Sequence, residues 1–369
     1  MKNILISDLL KGILLVCTLM LLQACEEFDD GSFTPQVIIE PEAPVDTTFT
    51  VEDPCLTSSC ALQTMTVNAG SANLTMDVFA SFDFMRDSAV WGAIKSAVIV
   101  VHGNNRNGNE YFNWMSNAIN SIGKANETLI IAPQFKTSAD VASGSEELIY
   151  SSDGWKRGFQ SNNITSEKIA SYDIIDSIMV RLGDKSNFPF LQKIVVTGHS
   201  AGAQFTNLYA AASPIPDQLG EVSVEFLVAN SQYFFYPGPE RWNTNSNSFT
   251  VPTGCNNYTE WPYGTDDPTA YLSRFSSSDI VNRYTGRKLT YLLGSLDIFT
   301  SGTLNTSDCE ANLLGENRFD RGQKMVNYMG QFFSNSDHSQ RIVQNVGHDA
   351  AQMYNSTVGK EVLSAMLTP

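Results

Sequence analysis

Lys193-Ile194-Val195-Val196-Thr197-Gly198-His199-Ser200-Ala201-Gly202 is the stretch on which the reading of this chain turns. Its first five residues read as a buried strand, and residues 203–212 after it read as a helix. A Gly-x-Ser-x-Gly sits at the junction. A serine at so sharp a strand-to-helix turn is held in a strained backbone conformation. Small residues on either side let strand and helix approach without a Cβ clash. The turn presents a hydroxyl, and serine at its own pKa needs an adjacent base to act as a nucleophile.

Working outward, strand and helix signals alternate. Residues 62–67 and 74–82 alternate apolar and polar side chains around Asn68-Ala69-Gly70-Ser71 and predict a hairpin. Residues 97–101, ending at His102-Gly103, and 128–132, ending at Pro133, are buried-strand runs. Further strands are expected at 222–228, 288–293 and 341–346. Helical spacing covers 111–122, 165–182, 318–333 and, as one closing helix, 350–366. This alternation argues an α/β chain with a mostly parallel, twisted sheet covered by helices on both faces. Residues 233–287 break the rhythm with Tyr233, Phe234, Phe235, Tyr236, Trp242, Tyr258, Trp261, Tyr263 and Tyr271 among many Asn, Pro and Gly. They are expected to form an insertion that caps the site.

The chain has four histidines. His199 lies inside the turn, His102 ends a strand, and His338 among Ser336, Asp337 and Ser339 reads as surface. His348, in Asn345-Val346-Gly347-His348-Asp349, follows the last strand and is the expected base. The acid should follow a strand between Ser200 and His348. Asp297 in Leu292-Leu293-Gly294-Ser295-Leu296-Asp297 fits, with Asp308 and Asp320 as rivals in a loop and at a helix start. A buried carboxylate there would hold the imidazole tautomer and stabilise the imidazolium. The oxyanion donors are expected to be the N–H of Ala201, at a helix N-terminus, and that of Asn104, with Asn105 next, in the loop after His102. His102, Trp155 and His199 are the candidates for substrate contact, with Trp155 equally able to serve as core or cap packing. No metal or cofactor is expected.

The strand–turn–helix, with its partners in the order serine, acid, histidine, resembles the nucleophile elbow of the α/β-hydrolase fold. Over about residues 90 to 365 the chain is most similar to secreted esterases of the polyhydroxyalkanoate-depolymerase-like and feruloyl-esterase-like branch. The carrying residues beyond the elbow are His102-Gly103, Gly294-Ser295-Leu296-Asp297 and Gly347-His348-Asp349. Cys309-Glu310-Ala311-Asn312, continuing through Gly315-Glu316-Asn317-Arg318 to Arg321-Gly322, is similar to a segment of uncharacterised members. The resemblance implies a serine hydrolase that cleaves carboxylic esters, small or oligomeric, through an acyl-enzyme. The aromatic insertion suggests an apolar or aromatic acyl group. The loop after His102 lacks the Gly-Gly run of many lipases. The same triad could serve a peptidase or amidase, and a non-catalytic surface binding protein is the reading from another class.

The N-terminus reads as a targeting segment. Lys2 precedes an apolar stretch at 12–22, and Leu22-Gln23-Ala24-Cys25 resembles the lipobox of bacterial lipoproteins, with Cys25 the lipidated residue. Residues 1–24 would be removed. Residues 25–54, rich in Pro, Thr and acids, would form a disordered tether, and 55–369 the hydrolase domain. Glu26, Glu27, Asp29 and Asp30 resemble a surface-export signal or are simply the solvated start of the tether. The expected location is therefore the outer membrane, with the cell surface as its extension. Net charge is −16, which argues against nucleic acid as a partner. Beyond Cys17 and Cys25, four cysteines remain, and three pairings are open to them. Cys55–Cys60, close in sequence, and Cys255–Cys309 are preferred, and the resemblance supports the second.

Overall fold

The computed structural model describes residues 48–369. The leader, Cys25 and most of the expected tether lie outside the described residues. At the described end of that expected tether, Thr50 N–H donates to Val90 O at 2.8 Å, and just beyond it Cys55 N–H donates to Ser81 O at 2.8 Å, so residues 50–55 are already joined to the domain. Both expected disulfides are formed, Cys55–Cys60 and Cys255–Cys309, each with Cα atoms 5.9 Å apart. They fit maturation in an oxidising, extracytoplasmic compartment. Among the described residues no helix is long and apolar enough to cross a membrane.

The sheet has eight strands: β1 (Leu62–Ala69), β2 (Ala72–Ala80), β3 (Ser96–Val101), β4 (Thr128–Pro133), β5 (Lys193–His199), β6 (Ser223–Ala229), β7 (Leu289–Gly294) and β8 (His338–Val343). Their order is β1-β2-β4-β3-β5-β6-β7-β8. β1 and β2 pair antiparallel, β2 pairs antiparallel with β4, and every later pairing is parallel. β3, β4 and β7 are buried at every residue, because helices cover both faces. α1 (Gly108–Ser121), α6 (Ala350–Asn355) and α7 (Thr357–Met366) close one core. α2 (Ser171–Gly183), α3 (Ala201–Ala212), α4 (Ser277–Gly286) and α5 (Arg318–Phe332) close the larger one with the aromatic insertion.

The register brings the chemistry to one edge. Val101 of β3 pairs with Gly198 of β5, and His199 pairs with Ala229 of β6. Gly294 of β7 pairs with Val343 of β8. The loops that leave β3, β5, β6, β7 and β8 therefore emerge side by side at the carboxyl edge, where sheets of this kind bind ligands.

Several elements differ from the sequence reading. The helix expected from 165 starts at Ser171. Ala170 instead forms a bridge with Gln160 and gives its N–H to Asp173 Oδ2. β8 lies three residues earlier than expected because Asn345, at φ 61°, already turns the chain. The closing helix is two: Ser356 ends one and caps the next by accepting from Gly359 N–H at 2.9 Å.

The insertion is also differently used. Its last part, α4, is the ordinary crossover helix between β6 and β7, joined to α3 by Asn207 Nδ2 donating to Tyr284 Oη at 2.7 Å. Phe234, Phe235, Tyr236, Trp261, Tyr263 and Tyr271 are turned into the core. Phe235 is fully buried against Trp261 and Tyr284, and its N–H donates to Asn207 Oδ1. The insertion packs as a flank, and among the described residues none from 233–287 lines the cleft at Ser200.

Candidate active site

Ser200 joins β5 to α3 at φ 60° and ψ −116°, a region that a non-glycine residue occupies only when its surroundings hold it there. Its N–H donates to Ala229 O at 3.0 Å, which fixes the turn to β6. The glycines are required by closeness. A Cβ on Gly198 would lie 2.3 Å from the carbonyl carbon of Gly202, and one on Gly202 would lie 2.1 Å from Val101 O.

The serine opens on a cleft of about 550 Å³, whose lining includes Asn104, Asn105, Lys156, His199, Ala201, Arg318 and His348. His348 Nδ1 donates to Asp297 Oδ2 at 2.7 Å, with Asp297 fully buried and the His348 side chain one-quarter exposed. Asp297 is held by its own loop, since its N–H donates to Gly294 O and its carbonyl accepts from Phe319 N–H. Both rival acids are engaged elsewhere: Asp308 accepts from Asn305 Nδ2, and Asp320 pairs with Lys324. No hydrogen bond joins Ser200 Oγ to His348 among the described residues. Such contacts often tighten only when substrate is bound.

The loop after β3 is fixed from outside the cleft. Arg106, at φ 53°, forks onto Asp140 at 2.6 and 3.0 Å and donates to Asn104 O at 3.1 Å. That ion pair holds the Asp140 carboxyl well below its usual range. The backbone carrying Asn104 and Asn105 is thereby set beside Ala201.

Two of the expected substrate contacts are structural instead. His102 is fully buried and uses both ring nitrogens: Nδ1 donates to Gly103 O at 2.9 Å, and Nε2 accepts from Phe135 N–H at 3.0 Å. Burial holds its pKa down at about 4. Trp155 is fully buried, stacked on Phe135 with ring centroids 5.7 Å apart and tilted against His102. Neither lines the cleft. His338 is half-buried rather than surface, with Nδ1 on Tyr291 Oη and Nε2 on Tyr284 O.

His199 does reach the cleft, its ring centroid 4.5 Å from that of His348. Burial, then the nearby His348 and Arg318, push its pKa well below 6.5, so it stays neutral. Asn230, the first residue after β6 at φ 49°, is a contributor the sequence reading missed. Its Oδ1 accepts from Gly294 N–H, and its Nδ2 donates to Gly347 O and faces His199 Nε2. One side chain thus ties together the loops carrying Asp297, His348 and Ser200. Its only signal in the sequence is its position just past a strand end. Among the described residues the one cluster with metal-ligand spacing is Cys255, Cys309 and Glu310, and its two sulfurs are joined to each other.

Neither a known family model nor a curated protein sequence matches this chain. Solved structures do. The chain is similar to LpqC, a poly(3-hydroxybutyrate) depolymerase from Bordetella parapertussis, at 17% identity and TM-score 0.56, over 83% of this chain and 91% of that one. It is also similar to poly(aspartic acid) hydrolase-1 from Sphingomonas sp. KT-1, at 16% identity and TM-score 0.56, over 83% of this chain and 99% of that one. At these identities the likeness establishes the fold, which is that of the α/β-hydrolases.

Proposed function

We propose that this protein is a serine hydrolase that cleaves carboxylic esters through an acyl-enzyme on Ser200. The observation that carries the reading is the meeting, in one cleft, of a serine at a strained turn with a histidine whose far nitrogen is bonded to a buried carboxylate. In this reading His348 takes the proton of Ser200 Oγ as the oxygen attacks the ester carbonyl. Asp297 holds the Nδ1–H of the ring and stabilises the imidazolium. The N–H groups of Ala201 and Asn104, with Asn105 behind them, receive the charge on the carbonyl oxygen. His348 then protonates the departing alcohol, and water attacks the acyl-enzyme by the same relay.

The cleft favours a polar substrate over the apolar or aromatic acyl group suggested by the aromatic insertion. Two cations, Lys156 and Arg318, face it with one acid, Asp349, in a chain of net charge −16. Asn104, Asn105, Asn107, Gln232 and Thr303 add hydrogen-bonding groups. Short acyl groups carrying hydroxyl or carboxylate groups match this lining. The residues 22–25 and the two disulfides support an exported, lipid-anchored enzyme, and Cys25→Ser should move it from the membrane to the soluble fraction.

The experiment is fluorophosphonate labelling with peptide mapping, followed by matched ester and amide substrates. Labelling at Ser200 with ester turnover supports the reading. Faster turnover of the amide would make it an amidase, and a folded protein that neither labels nor turns over ester would be a binding protein on this scaffold.

A further inference from the structure

The stretch from Cys309 to Gly322 has no task in the reaction as described, yet it is built around the loop that carries Asp297. Asn317 caps α5 by accepting from Asp320 N–H at 2.9 Å. Phe319 N–H donates to Asp297 O at 3.1 Å. Arg321, fully buried, gives its three nitrogens to Gly315 O, Gln232 O and Asn305 O at 2.9, 3.0 and 2.8 Å. Gly322 lies so close to β7 that a Cβ would sit 2.4 Å from Leu293 Cδ2. The start of α5 is thereby clamped against the acid loop.

This clamp delivers Arg318 to the acid. Its Nη1 lies 3.9 Å from Asp297 Oδ1, and its Nη2 donates to Thr303 Oγ1 at 3.0 Å. Both side chains are almost wholly buried, at 3% and 1% exposure. His348 occupies Oδ2, whereas Oδ1 and Arg318 Nε have no hydrogen-bond partner among the described residues. A buried carboxylate with one bare oxygen is costly, and a buried cation beside it offsets that cost.

We propose that Arg318 is a positioning residue for the His348–Asp297 pair: its fixed positive charge, 3.9 Å from Oδ1, favours the ionised carboxylate and holds it where it keeps the His348 ring in place. The inference rests on the hydrolytic reading of Ser200, Asp297 and His348.

The other groups around His348 do not duplicate this charge. His199 is buried and neutral. Asp349 gives its carboxylate to Gln352, accepting from the backbone N–H at 2.9 Å and from Nε2 at 3.0 Å. Lys156 is paired with Asp153 at 2.7 Å. Tyr111, on α1, is a neutral phenol whose pKa burial pushes up, and the Tyr233 hydroxyl accepts from Asn305 Nδ2 at 2.8 Å. Burial lowers the Arg318 pKa and Asp297 raises it, with the guanidinium remaining charged at any working pH.

The test is kcat/KM against pH, from about pH 5 to 9, for wild type, R318Q and R318K on p-nitrophenyl butyrate. An uncharged ester keeps direct substrate–charge contacts out of the profile. In R318Q the acid limb should move to higher pH by about one unit, since removing a neighbouring cation makes the pair easier to protonate. kcat should fall about tenfold with KM within about threefold. R318K, which keeps the charge, should retain the wild-type limb. T303V, which removes the anchor of Nη2 and lets the guanidinium move relative to Asp297, should displace the limb by a smaller step, and it decides the question if R318Q does not fold. An acid limb fixed at the wild-type position in folded, fluorophosphonate-labelled R318Q overturns the inference while leaving the hydrolytic reading intact. Absence of ester turnover in the wild type overturns both.

Discussion

At the elbow, backbone contact dictates residue type: any side chain on Gly198 or Gly202 would collide with backbone atoms. In the aromatic insertion, rings such as Phe235, Trp261 and Tyr284 meet through volume and tilt, at centroid separations of 5.1 to 5.9 Å. The first kind of constraint admits almost one sequence. The second admits many, because hydrophobic residues of about the right size suffice to fill a core. If the elbow carries the chemistry, changing its exposed hydroxyl should spare bulk stability, whereas emptying the core of the insertion should cost stability and spare the chemistry.

The largest expected effect tests the first half of that contrast. Ser200→Ala should lower kcat by about 10⁴-fold or more, while the melting temperature changes by no more than a degree or two. Near-normal turnover would remove Ser200 from the reaction. The mirror experiment is Phe235→Ala. Phe235 is fully buried, so the cavity should cost about 3–5 kcal/mol in urea unfolding. Turnover per folded molecule should stay within about threefold. A selective loss of kcat would instead return the insertion to a role at the site.

The same distinction explains what could be read from the sequence. The parallel sheet, the order of its strands along the chain and the Ser200, Asp297 and His348 candidates were legible, because buried runs and a Gly-x-Ser-x-Gly leave few local alternatives. The roles of His102 and Trp155 were not. Each stands next to chemistry in sequence, yet each satisfies core packing, and the side on which a side chain falls depends on distant partners such as Phe135. Asn230 and Arg318 act through bonds or charges that span 64 and 21 residues, to Gly294 and Asp297. No local pattern encodes such reach. The break at Ser356 was hidden for another reason: its residues keep helical periodicity while Gly359 approaches Met353 O too closely for a Cβ.

Each of the two regions also covers a histidine. His102 lies behind the elbow and His338 beside Tyr284 and Tyr291, and burial holds both at about pKa 4. An unfolded histidine titrates near 6.5, so between these values the unfolded chain binds more protons. The stability contributed by keeping these rings neutral is present above about pH 6.5 and is lost as pH falls toward 4. The urea midpoint should therefore drop between pH 7.5 and 5, and His102→Gln or His338→Gln should flatten the drop. An unchanged slope in both variants would assign the acid sensitivity to other groups.

The smallest expected effect concerns what the cleft selects. The Lys156 side chain is 11% exposed, on a short turn from Gly154 to Arg157, and its ammonium is shared with the exposed Asp153. That partner draws off part of its attraction for a substrate anion, and solvent screens much of the remainder. Lys156→Gln should therefore lower kcat/KM for the p-nitrophenyl half-ester of glutarate by about 3- to 10-fold relative to p-nitrophenyl butyrate. That corresponds to roughly 0.7–1.4 kcal/mol of discrimination. Stability should be nearly unchanged, because the ion pair it removes has one exposed partner. If the two esters lose equally, the cation shapes the wall of the cleft without reading charge. Selection would then rest with the neutral donors, Asn104, Asn105 and Gln232, and the preferred acyl group would be hydroxylated rather than anionic.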